Sequence, residues 1–203
     1  IAHGVMRSKV QLVAAYPITP QTPIVETISS LIDKKEYDAT YITVESEHSA
    51  LRAVIGAAST GVRTFTASAS HGLALMHEVT GVASASRLPV VMAVVSRAIP
   101  GPMCLWCDHS DIMTQRDQGW IQLFAESPQE GLDFTMIAYR TSEDERVLTP
   151  TMVDIDGFYC SHLTEPVDVP TEDEAERFIS EFRPVNARSE DHTSQLQSRQ
   201  VKS

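Results

Sequence analysis

Thr19 lies in the first stretch whose residue types and spacing could position chemistry. Three prolines fall within residues 17–23, and each fixes φ and pushes the preceding residue toward extended geometry. An apolar run at 12–15 precedes this segment and an amphipathic run at 24–28 follows it, which predicts a buried strand, a rigid turn and a helix. Thr19 is therefore expected at the carboxyl end of a strand, the edge at which open α/β sheets bind ligands. An ordinary strand-to-helix turn would also explain these residues.

A second candidate for chemistry is the pair Cys104 and Cys107, whose Cys-x-x-Cys spacing is typical of redox and metal sites. A structural zinc ion or an iron–sulfur cluster needs about four ligands, and the one further cysteine, Cys160, is distant in sequence. We therefore predict neither a metal site nor a disulfide framework. Reduced thiols are the usual state in the cytoplasm, which is the expected location.

Six segments have the apolar pattern of β-strands, and helical patterns separate most of them. The predicted strands cover residues 10–15, 39–44, 64–69, 89–96, 120–124 and 151–156. The predicted helices cover residues 23–31, 45–61, 73–86 and 127–144. The strand at 89–96 is apolar on both faces, as expected of a central parallel strand. This alternation predicts an α/β fold, namely a doubly wound, mostly parallel sheet with helices on both faces.

Local signals mark several boundaries of these elements. Thr22 is predicted to cap its helix, with Pro23 at the first helical position. Ser127 and Glu130 form a capping box at the start of a later helix. Residues 70–72 are predicted to form a turn.

The pattern also divides the chain into segments. Residues 1–160 are predicted to form the α/β domain, within which the irregular segment 97–111 follows the central strand, where long loops are usually functional. Residues 161–187 are acidic and punctuated by prolines, which indicates a linker. Residues 188–203 lack apolar periodicity, which predicts a non-native or disordered tail.

The charge of the chain limits its partners. Its 203 residues carry a formal net charge of −11, which argues against nucleic acid and anionic membranes. The longest apolar run, residues 88–95, is far shorter than the ~20 residues that a membrane-spanning helix needs.

Six short motifs occur in the order seen in 2-oxoacid:ferredoxin oxidoreductases. They are Tyr-Pro-Ile-Thr-Pro-Gln-Thr at 16–22, Glu-Ser-Glu-His-Ser-Ala at 45–50, Gly-Leu-Ala-Leu-Met-His-Glu at 72–78, Ser-Arg-Ala at 96–98, Asp-His-Ser-Asp at 108–111 and Asp-Gly-Phe at 156–158. Over residues 5–185 the chain resembles the alpha subunit of the pyruvate type, specifically its pyrimidine-binding domain. The resemblance implies a thiamine diphosphate-binding fold of the pyrimidine type.

The resemblance also implies a catalytic carboxylate. In thiamine diphosphate enzymes, a carboxylate on the pyrimidine ring nitrogen stabilises the imino tautomer that takes the thiazolium proton. Glu47 matches the glutamate of the family in this role, and Pro17 and Ile18 match the residues whose backbone approaches the cofactor. Glu45 is the rival carboxylate, for which a solvated turn acid is the simpler interpretation.

Two further residues are implied to bind the substrate. Arg97 matches the substrate-facing arginine of the family, whose guanidinium can pair with the carboxylate of a 2-oxoacid, and a surface ion pair is the alternative. Thr19 matches the residue that offers a hydroxyl. His71 stands where glutamine is common, and Asp108 and His109 receive no role.

The diphosphate half of such a site needs a Gly-Asp-Gly motif to hold a divalent metal, and the sequence lacks one. The resemblance therefore implies a beta subunit carrying the diphosphate and magnesium site, which shares the thiamine diphosphate with this chain. It also implies gamma- and delta-type subunits whose iron–sulfur clusters pass electrons to ferredoxin. A second domain of the same subunit would follow the linker.

We thus predict part of an oxidoreductase that converts pyruvate and CoA to acetyl-CoA, or the reverse. One alternative is the same class acting on 2-oxoglutarate or a branched-chain 2-oxoacid. The other is a non-catalytic doubly wound binding module, which would be expected to lack Glu47, Thr19 or Arg97, all of which are present.

Overall fold

A computed structural model describes residues 1–99, 101–179 and 181–184. The predicted tail at 188–203 and the last residues of the predicted linker lie outside this range. Six strands form one sheet, in the order β2-β1-β3-β4-β6-β5, and every neighbouring pair is parallel. The strands are β1 (Leu12–Ala15), β2 (Thr40–Thr43), β3 (Thr64–Ser68), β4 (Val91–Ser96), β5 (Ile121–Ala125) and β6 (Thr151–Asp156).

Helices cover both faces of the sheet. They are α1 (Ala2–Arg7), α2 (Thr22–Asp33), α3 (Glu47–Ala58), α4 (Ser70–Ala85), α5 (Ser110–Met113), α6 (Pro128–Ser142) and α7 (Glu172–Ile179). Helices α1, α2 and α6 contribute to the apolar core on one face, and α3, α4 and α5 to the core on the other. The predicted doubly wound fold is confirmed. No helix within the described ranges is long and apolar enough to cross a bilayer.

The central strand β4 shows why both cores form. Val91 and Ala93 belong to one core, whereas Met92 and Val94 belong to the other, because successive side chains of a strand point to opposite faces. All six residues of β4 are buried. The prediction of a central strand with two apolar faces is thus confirmed.

The strand order reverses between β1 and β3. From β1 the chain passes to the edge strand β2 and then returns to β3, which pairs with the other side of β1. Loops that leave the carboxyl ends of β1 and β3 therefore turn toward opposite faces of the sheet. A crevice at such a reversal is the usual ligand-binding place in open α/β folds.

Two predicted helix starts are wrong. Thr22 is the first residue of α2 rather than its cap, because the backbone N–H of Gln21 already donates to Ile18 O at 2.8 Å and begins the turn. Residues 70–72 belong to α4 rather than to a turn. The prediction for α6 is confirmed at Ser127, whose hydroxyl accepts from Glu130 N at 3.2 Å.

Part of the predicted linker is packed against the domain. Helix α7 lies within residues 161–187, and its Ala175 and Ile179 are buried against Leu132 and Met136 of α6. An alternation of buried apolar and exposed acidic residues explains how an acidic segment forms this amphipathic helix. The division into domain, linker and tail otherwise stays a prediction.

Candidate functional site

Glu47 is the first residue of α3, at the carboxyl edge of the sheet. Ser46 precedes it in extended geometry and caps the helix, since its hydroxyl accepts from Ser49 N at 3.2 Å. The positive end of the helix dipole favours a carboxylate in this first turn. Glu47 is only 8% exposed. The sheet edge thus carries one carboxyl group in a poorly solvated position at a helix start.

Glu45, the rival carboxylate, is exposed and already has a local partner. Its Oε1 accepts a hydrogen bond from Ser49 Oγ at 2.7 Å. That bond, with a backbone hydrogen bond, lowers the pKa of Glu45. These contacts match the turn acid that the sequence offered as its simpler interpretation.

Two residues that the sequence did not single out pack closely around the Glu47 carboxylate. A Cβ at Gly72 of α4 would lie 2.5 Å from Glu47 Oε1 and 2.7 Å from Ser68 Oγ at the end of β3. The Ser68 hydroxyl is fully buried and has no hydrogen-bond partner in the structure. The hydroxyls of Thr64 and Thr66 on the same strand are likewise buried without a partner. The glycine at the head of the 72–78 motif was the one sequence signal for this position.

The proline-rich loop after β1 is held against the end of the sheet. Thr19 is exposed, Pro20 is buried, and the peptide bond between them is cis. A Cβ at Gly157, just after β6, would lie 2.8 Å from the Pro20 ring and 2.3 Å from Ser96 O. Only glycine allows the loop and the ends of β4 and β6 to approach this closely. Pro17 is exposed and Ile18 is half-buried on the same loop.

Arg97 joins this loop to the end of β4. Its Nη1 donates to Thr19 O at 2.7 Å, and its Nε donates to Cys104 O at 3.0 Å. Arg97 is 5% exposed, so it does not form the surface ion pair that the sequence left as an alternative. The structure therefore brings Thr19 and Arg97 together through a backbone carbonyl.

Asp111 ties the turns after β3 and β4 to each other. Its Oδ2 accepts from Ser70 N at 2.7 Å and from Arg97 N at 3.0 Å, and its Oδ1 accepts from Ile112 N at 2.8 Å. Burial raises the pKa of this fully buried carboxyl, and the backbone donors counter that rise. Asp111 thus sets the start of α4, which carries Gly72, relative to Arg97.

The two cysteines of the Cys-x-x-Cys pair and His71 lie in different environments. Cys107 Sγ donates to Asp156 Oδ1 at 3.0 Å, whereas Cys104 contributes its backbone carbonyl to Arg97. Burial, and secondarily the Asp156 carboxylate, raises the pKa of the Cys107 thiol to about 12. His71 is exposed, with Nδ1 3.1 Å from Ser70 Oγ.

Comparison with known proteins identifies the family. Residues 3–202 match the family described as pyruvate flavodoxin/ferredoxin oxidoreductase, thiamine diphosphate-binding. The chain is 51% identical over 180 residues to pyruvate synthase subunit PorA of Pyrococcus furiosus, covering 89% of this chain and 46% of that protein. It is 50% identical to the PorA subunit of Methanocaldococcus jannaschii, covering 92% of this chain and 48% of that protein.

More distant relatives share the fold. The ketoisovalerate oxidoreductase subunit VorA of Pyrococcus horikoshii is 45% identical, over 91% of this chain and 46% of that protein. The solved 2-oxoglutarate:ferredoxin oxidoreductase of Magnetococcus marinus superposes with a TM-score of 0.74 at 24% identity, covering 94% of this chain and 32% of that one. The chain thus spans about half the length of the curated relatives it matches. It belongs to the pyruvate flavodoxin/ferredoxin oxidoreductase family and carries the thiamine diphosphate-binding domain of that family.

Proposed function

We propose that this chain is the pyrimidine-binding part of the alpha subunit of a pyruvate:ferredoxin oxidoreductase, which oxidatively decarboxylates pyruvate to acetyl-CoA or runs the reverse reaction. The observation that carries the proposal is the buried carboxylate of Glu47 in the first turn of α3, packed against Gly72. A basic ring nitrogen of a cofactor would give this carboxylate a hydrogen-bond partner.

The residues present fit the pyrimidine half of thiamine diphosphate. When bound, this cofactor supplies the nucleophilic thiazolium carbon. Glu47 would hold a proton on the pyrimidine ring nitrogen through a charge-assisted hydrogen bond. Gly72 lets the Glu47 carboxylate pack closer to α4 than any side chain at that position would allow. The exposed backbone near Pro17 and Ile18 would border the cofactor.

The substrate would be held at the adjoining loop. A guanidinium has five N–H donors, and the two backbone carbonyls that Arg97 contacts leave donors for the carboxylate of a 2-oxoacid. The exposed Thr19 would offer its hydroxyl to the same substrate. Magnesium, the diphosphate site and iron–sulfur clusters would belong to partner subunits, through which electrons reach ferredoxin.

Pyruvate is favoured over other 2-oxoacids by sequence similarity. The PorA subunits named for pyruvate synthase are 46 to 51% identical to the chain, and the VorA subunits named for ketoisovalerate are 45% identical. A branched-chain 2-oxoacid is therefore the second candidate. The 2-oxoglutarate enzyme supports the fold alone, since its identity is 24%.

Co-expression of this chain's full-length subunit with its partner subunits tests the proposal. Ferredoxin reduction should require pyruvate, CoA and thiamine diphosphate together. Faster reduction with 2-oxoisovalerate than with pyruvate would assign the branched-chain reaction. An assembled complex that fails to reduce ferredoxin with each of the 2-oxoacids tested would instead indicate a non-catalytic binding module.

The isolated chain is expected to bind thiamine diphosphate weakly, because the group that would hold the diphosphate and its metal is assigned to another subunit. Isothermal titration calorimetry of the chain alone, with and without Mg²⁺, measures this affinity. The assembled complex serves as the positive control. Tight, Mg²⁺-dependent binding by the isolated chain would contradict the division of the site between subunits.

Gly72→Ala should disturb the Glu47 carboxylate, because the new methyl would lie 2.5 Å from Glu47 Oε1. Gly56→Ala is the matched control, since a Cβ at that helical glycine meets nothing within 4 Å. Overpacking of this kind costs about 1–3 kcal/mol. We expect activity of the assembled enzyme to fall by roughly tenfold or more with Gly72→Ala and to stay unchanged with Gly56→Ala. Equal activities of the two variants would mean that the position of the Glu47 carboxylate against Gly72 does not matter for the reaction.

A further inference from the structure

His109 lies between two carboxylates at the end of β6. Its Nδ1 is 3.0 Å from Asp154 Oδ2, and its Nε2 is 3.3 Å from Asp156 Oδ1. The opposite oxygen of Asp154 accepts from Ser96 Oγ at 2.5 Å. The Phe124 ring of β5 contacts the imidazole edge-on, with 5.5 Å between ring centroids. One histidine, two aspartates and one serine thus form a connected group beside the proposed substrate site.

The carboxylates of the group have both charge and hydrogen-bond partners. The imidazole nitrogens lie within ion-pair distance of Asp154 Oδ2 and Asp156 Oδ1, while the hydrogen bonds of the group run from Ser96 Oγ to Asp154 and from Cys107 Sγ to Asp156. Two carboxylates this close to each other, one of them buried, favour a proton on the buried one.

The same group holds the segment 101–109, which we call the arm, against the sheet. Cys107 of the arm donates to Asp156, and His109 at its end contacts both aspartates of β6. The other side of the arm contacts Arg97, through Cys104 O and the Arg97 Nε at 3.0 Å. The arm therefore connects the group formed by His109, Asp154 and Asp156 to the guanidinium.

We propose that His109, Asp154 and Asp156 are positioning residues that hold the arm against β6 through their contacts, and so keep Arg97 oriented for the carboxylate of the 2-oxoacid. This inference rests on the proposed function of Arg97. His109 acts through the arm and has no assigned contact with substrate or cofactor.

The electrostatics set the direction of the pH dependence. Burial raises the pKa of Asp154 to about 7, while the Ser96 hydroxyl and His109 lower it and the nearby Asp111 and Asp156 carboxylates raise it. The folded protein therefore retains a proton that the unfolded chain releases near pH 4. The stabilisation is fully present at low pH and is lost as the pH rises through about 7. Two thiols also face the cluster: burial raises the pKa of Cys107 to about 12 and raises the pKa of Cys160, so both stay protonated in this pH range.

Hydrogen exchange of the arm in the full chain tests the cluster without any assay of activity. Protection of arm amides, corrected for intrinsic exchange, should fall by about tenfold between pH 6 and pH 8 in the wild type. His109→Gln should show the low protection already at pH 6. Asp154→Asn, which mimics the protonated carboxyl, should keep the high protection at pH 8.

His162→Gln is the matched control, since this exposed histidine stacks on Phe158 outside the cluster. It should reproduce the wild-type exchange at both pH values. Identical arm protection in His109→Gln, His162→Gln and wild type would overturn the proposal.

Kinetics of the assembled enzyme test the connection to Arg97. His109→Gln should raise KM for pyruvate by about tenfold at pH 6 with a smaller change in kcat, and Asp154→Asn should flatten the pH profile of kcat/KM. A purely structural role would lower activity equally at every pH. Faster exchange of the arm amides in His109→Gln, together with an unchanged KM for pyruvate, would overturn the proposed connection to Arg97. A wild-type complex inactive with every 2-oxoacid would refute the proposed function instead, and the exchange data would still report on the cluster.

Discussion

Replacing Glu47 by glutamine is expected to slow exchange of the thiazolium C2 proton in the assembled enzyme by about 10²-fold or more, the scale of a positioned acid–base group. The substitution is nearly isosteric, and the capping bond from Ser49 N to Ser46 Oγ does not involve it, so α3 should stay intact. What is lost is the negative charge that would favour a proton on the pyrimidine ring. Cofactor affinity should fall only modestly, because the diphosphate contacts would remain.

NMR detection of C2 proton exchange in the assembled enzyme measures this effect. Glu45→Gln is the matched control, since Glu45 is exposed and bonded to Ser49. That variant should exchange at the wild-type rate. A wild-type rate in Glu47→Gln would make Glu47 a structural residue of the helix start, and a slow rate in Glu45→Gln would move the catalytic assignment to Glu45.

Arg97→Lys is expected to raise KM for the 2-oxoacid by roughly tenfold to a hundredfold, the range for losing one charge-assisted hydrogen bond. Lysine keeps the charge but lacks the planar fork with which Arg97 contacts Thr19 O and Cys104 O together. The ammonium would satisfy one carbonyl and leave the other unpaired. The Kd for thiamine diphosphate should change little, because Arg97 is assigned to the substrate.

Steady-state kinetics with pyruvate, 2-oxobutyrate and 2-oxoisovalerate measure the change for each acid. Arg116→Lys serves as the control, since this exposed arginine lies 3.5 Å from Asp117 and outside the site. An unchanged KM for all three acids in Arg97→Lys would remove Arg97 from the substrate site. An equal rise in the Kd of the cofactor would make it a residue that organises the whole edge of the sheet.

The sequence by itself determined the fold class and the order of its elements. Strand β4 is apolar on both faces, and a strand of that pattern is stable only with helices on each side. The α6 start followed from Ser127 and Glu130, whose contact spans three residues. Such signals can be recognised in a sequence because they depend on residues that are close together along the chain. The predicted cap at Thr22 was wrong because the backbone N–H of Gln21 donates to Ile18 O at 2.8 Å and begins the turn one residue earlier.

The candidate residues Glu47, Thr19 and Arg97 also came from the sequence, through a motif resemblance, and their roles stay predictions. Only the tertiary structure decided what surrounds them. Ser68 and Gly72 meet Glu47 from different elements, and His109 meets Asp154 across 45 positions of sequence. Hydrophobic periodicity tells which face of an element is buried, but it carries no information about which polar atoms meet there. The contacts between polar atoms depend on the strand order and on the path of each loop, and the packing of the whole sheet determines both.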